Sequence, residues 1–203
     1  HCRHCCACCR WPRRRPATSS PPLRTTADTQ LQQGLEQALG GLQLEDDARQ
    51  GRLALAVVDI SDPALPRLAA VNGDQMMYAA SLPKIAILLG AFQQAHDTGA
   101  ALTPERHQQL IRMIRYSSNR DASDVMRRVG AAYIAQVLTS SQYRLYDPAH
   151  NGGLWVGKEY GRAPAWRRDP LHNLSHGATA IQVARFYYLL ATEQLVSPRA
   201  SRQ

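Results

Sequence analysis

Ser81-Leu82-Pro83-Lys84 sets a hydroxyl and an amine three positions apart, where an extended apolar run turns helical. Tyr78-Ala79-Ala80 lead in, and Ile85, Leu88, Leu89 and Phe92 follow at helical spacing. Side chains three apart on a helix share a face, so the Lys84 amine can reach the Ser81 hydroxyl. A serine hydroxyl attacks carbonyl carbon poorly at neutral pH unless a base takes its proton. Lysine is such a base once burial or a neighbouring cation lowers its pKa. Pro83 suits a first helical turn, where its missing N–H is not needed. The helix N-terminus also favours negative charge developing on the serine oxygen. The competing reading is an N-cap serine followed by a solvated lysine.

A second cluster, Tyr116-Ser117-Ser118-Asn119, follows, with Ser117 lying 33 residues after Lys84. Read alone, Ser and Asn are ordinary loop and cap residues. Their flanks say more. Thr103-Pro104-Glu105 opens a helical pattern through Leu110, Ile111, Met113 and Ile114. Another pattern runs through Ala122, Val125, Met126 and Val129 and is closed by Gly130. The cluster is therefore expected on a short loop between two helices.

Further elements must hold these two segments. Leu53 to Ile60 reads as a buried strand, Ser61-Asp62-Pro63 breaks it, and Arg67 to Gly73 reads as its hairpin partner. Leu31, Leu35 and Leu39 form a helical stripe that would pack across that sheet. Thr179 to Leu190 reads as a helix with a broad apolar face, ended by Leu195-Val196-Ser197-Pro198. The fold class expected is α+β.

With both motifs in this order and on these elements, the chain resembles the class A β-lactamases and the wider penicillin-recognising serine hydrolases. The resemblance implies a β-lactamase/transpeptidase-like fold, a helical lobe against an antiparallel sheet. By the same resemblance Ser81 is the nucleophile and Lys84 its base. Ser117 relays a proton to the leaving nitrogen, and Asn119 hydrogen-bonds the substrate amide and Lys84. Where the family has aspartate in the middle of its Ser-Asp-Asn, this chain has Ser118, which bears on support of the loop.

Arg144-Leu145-Tyr146-Asp147-Pro148-Ala149-His150-Asn151 resembles the family's Glu-Pro-x-Leu-Asn loop. Asp147 stands for the glutamate that orients the deacylating water, and Asn151 for a substrate-binding asparagine. Aspartate is one methylene shorter, and misplacing a base by about 1 Å costs on the order of a hundredfold in rate. The alternative is a loop aspartate starting a turn before proline. Gly152 to Lys158 has no counterpart in the family pattern. His176-Gly177-Ala178-Thr179 partly matches the family's threonine-rich helix opening. The connection from Phe92 to Thr103 is shorter than the family's and lacks its aromatic wall, so a more open cleft is expected.

The family's Lys-Thr-Gly strand has no match here: the only lysines are Lys84 and Lys158. That strand supplies one oxyanion donor, the Ser81 N–H being the other, and losing one donor costs roughly 10²–10³ in rate. The resemblance thus implies that the 203 residues are a fragment lacking the C-terminal strands, or a poor catalyst.

Composition fits one globular domain over residues 28–203, preceded by a Cys/Arg/Pro-rich leader over 1–27. The net charge of +8 is concentrated in residues 1–24, which hold six arginines and no acid. The rest carries 18 basic and 16 acidic side chains and no basic stripe interleaved with aromatics, so nucleic-acid binding is not expected. All five cysteines fall within residues 2–9. A Cys/His cluster suggests metal, but structural zinc sites pair ligands across a folded loop and no second cluster exists, so neither metal nor cofactor is expected. No run is apolar and long enough to span a bilayer, and no complete signal peptide is present. Periplasmic or secreted location is implied by resemblance alone.

Three functions fit: a β-lactamase-type hydrolase acylated at Ser81, a D-alanyl peptidase or esterase using the same nucleophile, or a non-catalytic β-lactam-sensing module. In each the partner is a small-molecule amide or ester and the protein a monomer.

Overall fold

A computed structural model describes residues 21–203. The metal-ligand candidates His1 to Cys9 lie outside the described residues. Within them the fold is mixed α+β, with short antiparallel sheets set among helices.

The expected hairpin is present as β1 (Leu55–Asp59) and β2 (Arg67–Val71), paired antiparallel with Leu55 opposite Val71. Asp59 and Arg67 clamp its loop end as an ion pair at 2.5 Å. The leucine stripe forms α1 (Thr29–Gly41), capped by Asp28, whose carboxylate accepts the Leu31 N–H at 2.7 Å. Gln32 on α1 accepts the Ala70 N–H at 2.9 Å and pins the helix to β2. A short α2 (Glu45–Arg49) leads into the hairpin.

The N-terminal boundary differs from expectation. Leu23 is buried against Leu68 and Tyr188. Arg24 pairs with Asp74 at 2.6 Å, and Ala27 forms a parallel bridge to Leu68. Packing thus begins before residue 28, because one apolar side chain and one ion pair suffice to dock this segment on the outer edge of β2.

The helical part is built around α3 (Lys84–Thr98), which is buried along most of its length and ends at Gly99 in a left-handed conformation. Around it lie α4 (Pro104–Arg115), capped by Thr103, α5 (Asn119–Val129), capped by Ser118, and α6 (Ala131–Thr139). Gly130 separates the last two, as the sequence suggests. Ile87, Met113, Ile134, Leu145 and Leu154 are wholly buried at the centre of this core.

Very short strands join the two parts. These are β3 (Met77–Tyr78), β4 (Tyr146–Asp147), β5 (Gly152–Gly153), β6 (Trp155–Val156) and β7 (His176–Ala178). β7 is central in β3-β7-β6, and β4 pairs with β5. At Gly153, φ is +146°, and a Cβ there would collide with the Leu145 carbonyl, so only glycine serves. α7 (Ala180–Ala191), capped by Thr179, packs on β1. The segment expected only to end that helix also starts another, α8 (Pro198–Ser201), capped by Ser197.

Candidate functional site

Ser81 lies on the turn between β3 and α3. Two i to i+3 bonds shape this turn, Leu82 N–H to Ala79 O at 2.9 Å and Lys84 N–H to Ser81 O at 3.2 Å. The Ala79 N–H donates to His176 O at 3.1 Å, tying the turn to β7. Ala80 is held at φ +44°. Non-glycine residues rarely sit there, and such backbone strain persists where the surroundings over-determine it. The result is an exposed Ser81 directly above a Lys84 that is 2% exposed.

Ser117 and Asn119 come from the loop between α4 and α5. Ser118 caps α5, its hydroxyl accepting the Asp121 N–H at 3.2 Å. Arg112 reaches across from α4 to Asp121 at 2.9 Å and closes the loop. Ser117 is held at φ +52°, which turns its carbonyl and hydroxyl to the same amine.

Lys84 Nζ gathers all of these groups. It lies 3.1 Å from Ser81 Oγ, 2.8 Å from Ser117 Oγ, 2.8 Å from Asn119 Oδ1 and 2.5 Å from Ser117 O. Carbonyl oxygens only accept, so Asn119 Oδ1 and Ser117 O take two N–H bonds. A neutral amine has two N–H groups and one lone pair; an ammonium has three donors and none. With two donors spent on the carbonyls, the remaining position of the amine, a donor when protonated and a lone pair when neutral, is left for the two hydroxyls. Burial holds the Lys84 pKa below its ordinary value. Among the described residues no carboxylate forms an ion pair with it.

The ring of Tyr160 lies over the amine, its centroid 4.6 Å from Nζ. His176 packs against that ring at 4.5 Å. Burial, then the nearby Lys158 charge, lowers the His176 pKa to about 4, so its imidazole is neutral at physiological pH. The Tyr160 hydroxyl and His176 Nε2 are both buried without a hydrogen-bond partner. Nothing in the sequence points to Tyr160, which lies in an aperiodic stretch between two glycines.

Asp147 and Asn151 do not join this cluster through any hydrogen bond or ion pair. Asp147 Oδ1 accepts the Ala149 N–H at 3.1 Å, closing its own turn. Its Oδ2 lies 2.8 Å from the Arg144 guanidinium and 3.0 Å from His150 Nδ1. Burial alone would raise the Asp147 pKa; the bonds from His150 and Ala149 and the Arg144 charge outweigh it and hold it below the ordinary value. Asn151 sits at φ +59° and donates from Nδ2 to Asp74 O at 2.8 Å. One methylene shorter than glutamate, Asp147 engages its local turn.

The geometry can move a proton from the Ser81 hydroxyl to Lys84 and on to the Ser117 hydroxyl. The Ser81 N–H donates to no backbone acceptor among the described residues. Among those residues no three His, Cys, Asp or Glu side chains converge on a metal position. No protein-family model matches the chain, and no curated protein matches it significantly.

Proposed function

We propose that this protein is a serine hydrolase of the class A β-lactamase type, on a β-lactamase/transpeptidase-like fold, that acylates Ser81 with a β-lactam or related amide and hydrolyses the acyl-enzyme. The observation that carries the reading is the set of four oxygens around a buried, carboxylate-free Lys84 amine. Ser81 Oγ attacks the carbonyl carbon as its proton passes to Lys84 Nζ. The carbonyl oxygen becomes an oxyanion facing the Ser81 N–H. As the C–N bond breaks, the Ser117 hydroxyl gives its proton to the nitrogen and regains one from Lys84. Asn119 holds Lys84 and presents its amide N–H₂ toward substrate.

A second reading, a D-alanyl peptidase or esterase that hydrolyses β-lactams slowly, is favoured by the engagement of Asp147 with Arg144, His150 and Ala149. A base whose pKa is lowered accepts a proton from water less readily.

Incubation with a fluorescent penicillin tests both. The expected result is a covalent label on the peptide containing Ser81, absent from Ser81→Ala. Label that persists in Ser81→Ala, or none in wild type, removes the proposal. Rapid loss of label with product release supports the lactamase; a durable label supports the peptidase or esterase, or the non-catalytic β-lactam-sensing module. In Asp147→Asn, an unchanged label lifetime assigns that carboxylate to its loop and a lengthened one assigns it to deacylation.

A further inference from the structure

We propose that Tyr160 is a positioning residue for the proton transfer: its ring closes over Lys84 Nζ and keeps water off the amine. This inference rests on Lys84 being the base for Ser81.

The ring is placed by its backbone, which is fastened from both sides. The Tyr160 N–H donates to Ser123 Oγ at 3.0 Å, and the Ser123 hydroxyl donates back to Tyr160 O at 3.2 Å. Ser123 is buried on α5, one turn beyond Asn119. Arg127, a further turn along, pairs with Glu159. The same helix that presents Asn119 to the amine thus holds the ring over it. Lys84 bonds to Ser81, Ser117 and Asn119, and the ring over its Nζ is an apolar neighbour that offers it no acceptor.

An aromatic face both attracts a cation and excludes water. The ring lies 4.6 Å from Nζ, and burial lowers the Lys84 pKa, the direction in which a water-excluding ring acts. The groups around the amine agree. From β7 comes His176, neutral against the ring. From β3 comes Tyr78, edge-on to His176 at 6.4 Å. Lys158 donates to Gly161 O at 2.9 Å. On α5, Asp121 is paired with Arg112. No group among these offers Lys84 a counter-ion.

The Tyr160 hydroxyl, buried and unpartnered, separates this role from chemistry at the oxygen. If the ring acts as a wall, phenylalanine serves as well.

The chain has two lysines, so NMR of protein containing isotope-labelled lysine resolves each ammonium titration, with Lys158→Gln identifying the Lys84 signal. Tyr160→Phe is expected to leave the Lys84 midpoint where it is in wild type. Tyr160→Leu, apolar but without attraction for a cation, is expected to leave it equally low or lower. Tyr160→Ala, which admits water, is expected to raise it by about one pH unit or more, a tenfold change in the protonation equilibrium. The acid limb of the penicillin-labelling rate is expected to move with it. A folded Tyr160→Ala protein titrating like wild type overturns the proposal, as does a rise in the Phe or Leu variant; the latter pair decides the matter if the alanine variant does not fold. The titration needs no catalysis. Absence of label at Ser81 therefore removes the proposed reaction and leaves the wall to be judged separately.

Discussion

Two buried side chains lie against one ring, Lys84 Nζ at 4.6 Å and His176 at 4.5 Å from the Tyr160 centroid, and burial lowers the pKa of both. Lys84 and His176 lie in surroundings that hydrate an added proton poorly. The histidine makes this measurable as stability. Its pKa is about 4 in the fold against an ordinary 6.5. As pH falls through 6.5 toward 4, the unfolded chain binds the proton and the native state does not, so stability declines across that window. The full loss from this one group is on the order of 3 kcal/mol. His176→Phe, which keeps a ring against Tyr160, is expected to remove that contribution. Urea unfolding at about pH 7 and about pH 4.5 checks it: the stability difference between the two should shrink in the variant. An undiminished difference would mean that another group sets the acid sensitivity.

Between α4 and α5 a single serine decides how the loop enters the second helix. Ser118 occupies the position where the resembled family has aspartate, and both side chains can accept the capping bond that Asp121 N–H donates here. Ser118→Asp is expected to leave stability and labelling at Ser81 nearly unchanged. Ser118→Ala is expected to cost about 1 kcal/mol and to slow labelling, because Ser117 and Asn119 flank the loosened cap. Thermal melts and labelling rates of the two variants check this. The helices around the site were legible because their signals are local: Thr103 before Pro104, Ser118 as a cap, Gly130 as a stop, and apolar residues at helical spacing. By contrast β3, β5, β6 and β7 span two or three residues and include Gly152, Gly153 and Gly177. Such segments carry no alternation to read, and only pairing across the chain defines them.

Among the described residues there are two apolar cores, a large one around α3 and a small one where Leu23, Leu68 and Tyr188 meet. The small core fastens the N-terminal segment to the β1–β2 sheet, assisted by the Arg24–Asp74 pair and by Tyr188 donating to Pro21 O at 3.0 Å. Leu23→Ala is expected to destabilise the whole fold by about 3 kcal/mol, read as a lower urea midpoint. A change within a few tenths of a kcal/mol would show that this segment is a dispensable arm. A buried polar link ties the far end of the chain to the large core. Tyr143 donates to Gln93 Oε1 on α3 at 2.6 Å and accepts the Val196 N–H at 2.9 Å.

That Ser117 and Asn119 meet Ser81 and Lys84 was implied by the resemblance alone. The sequence by itself determined the α+β class, the main hairpin, the helix stop at Gly130 and the helical spacing that lets Lys84 reach Ser81. Each of these follows from short-range spacing or from a motif within one turn of a cap. Tertiary structure alone decided what surrounds the Lys84 amine. Tyr160 reaches it from a loop with no periodicity, and Asp147 stays with Arg144 and His150 although its loop resembles a catalytic one. Whether a side chain is dry, and which of several possible partners it meets, depends on residues distant in the chain; local pattern carries no record of that.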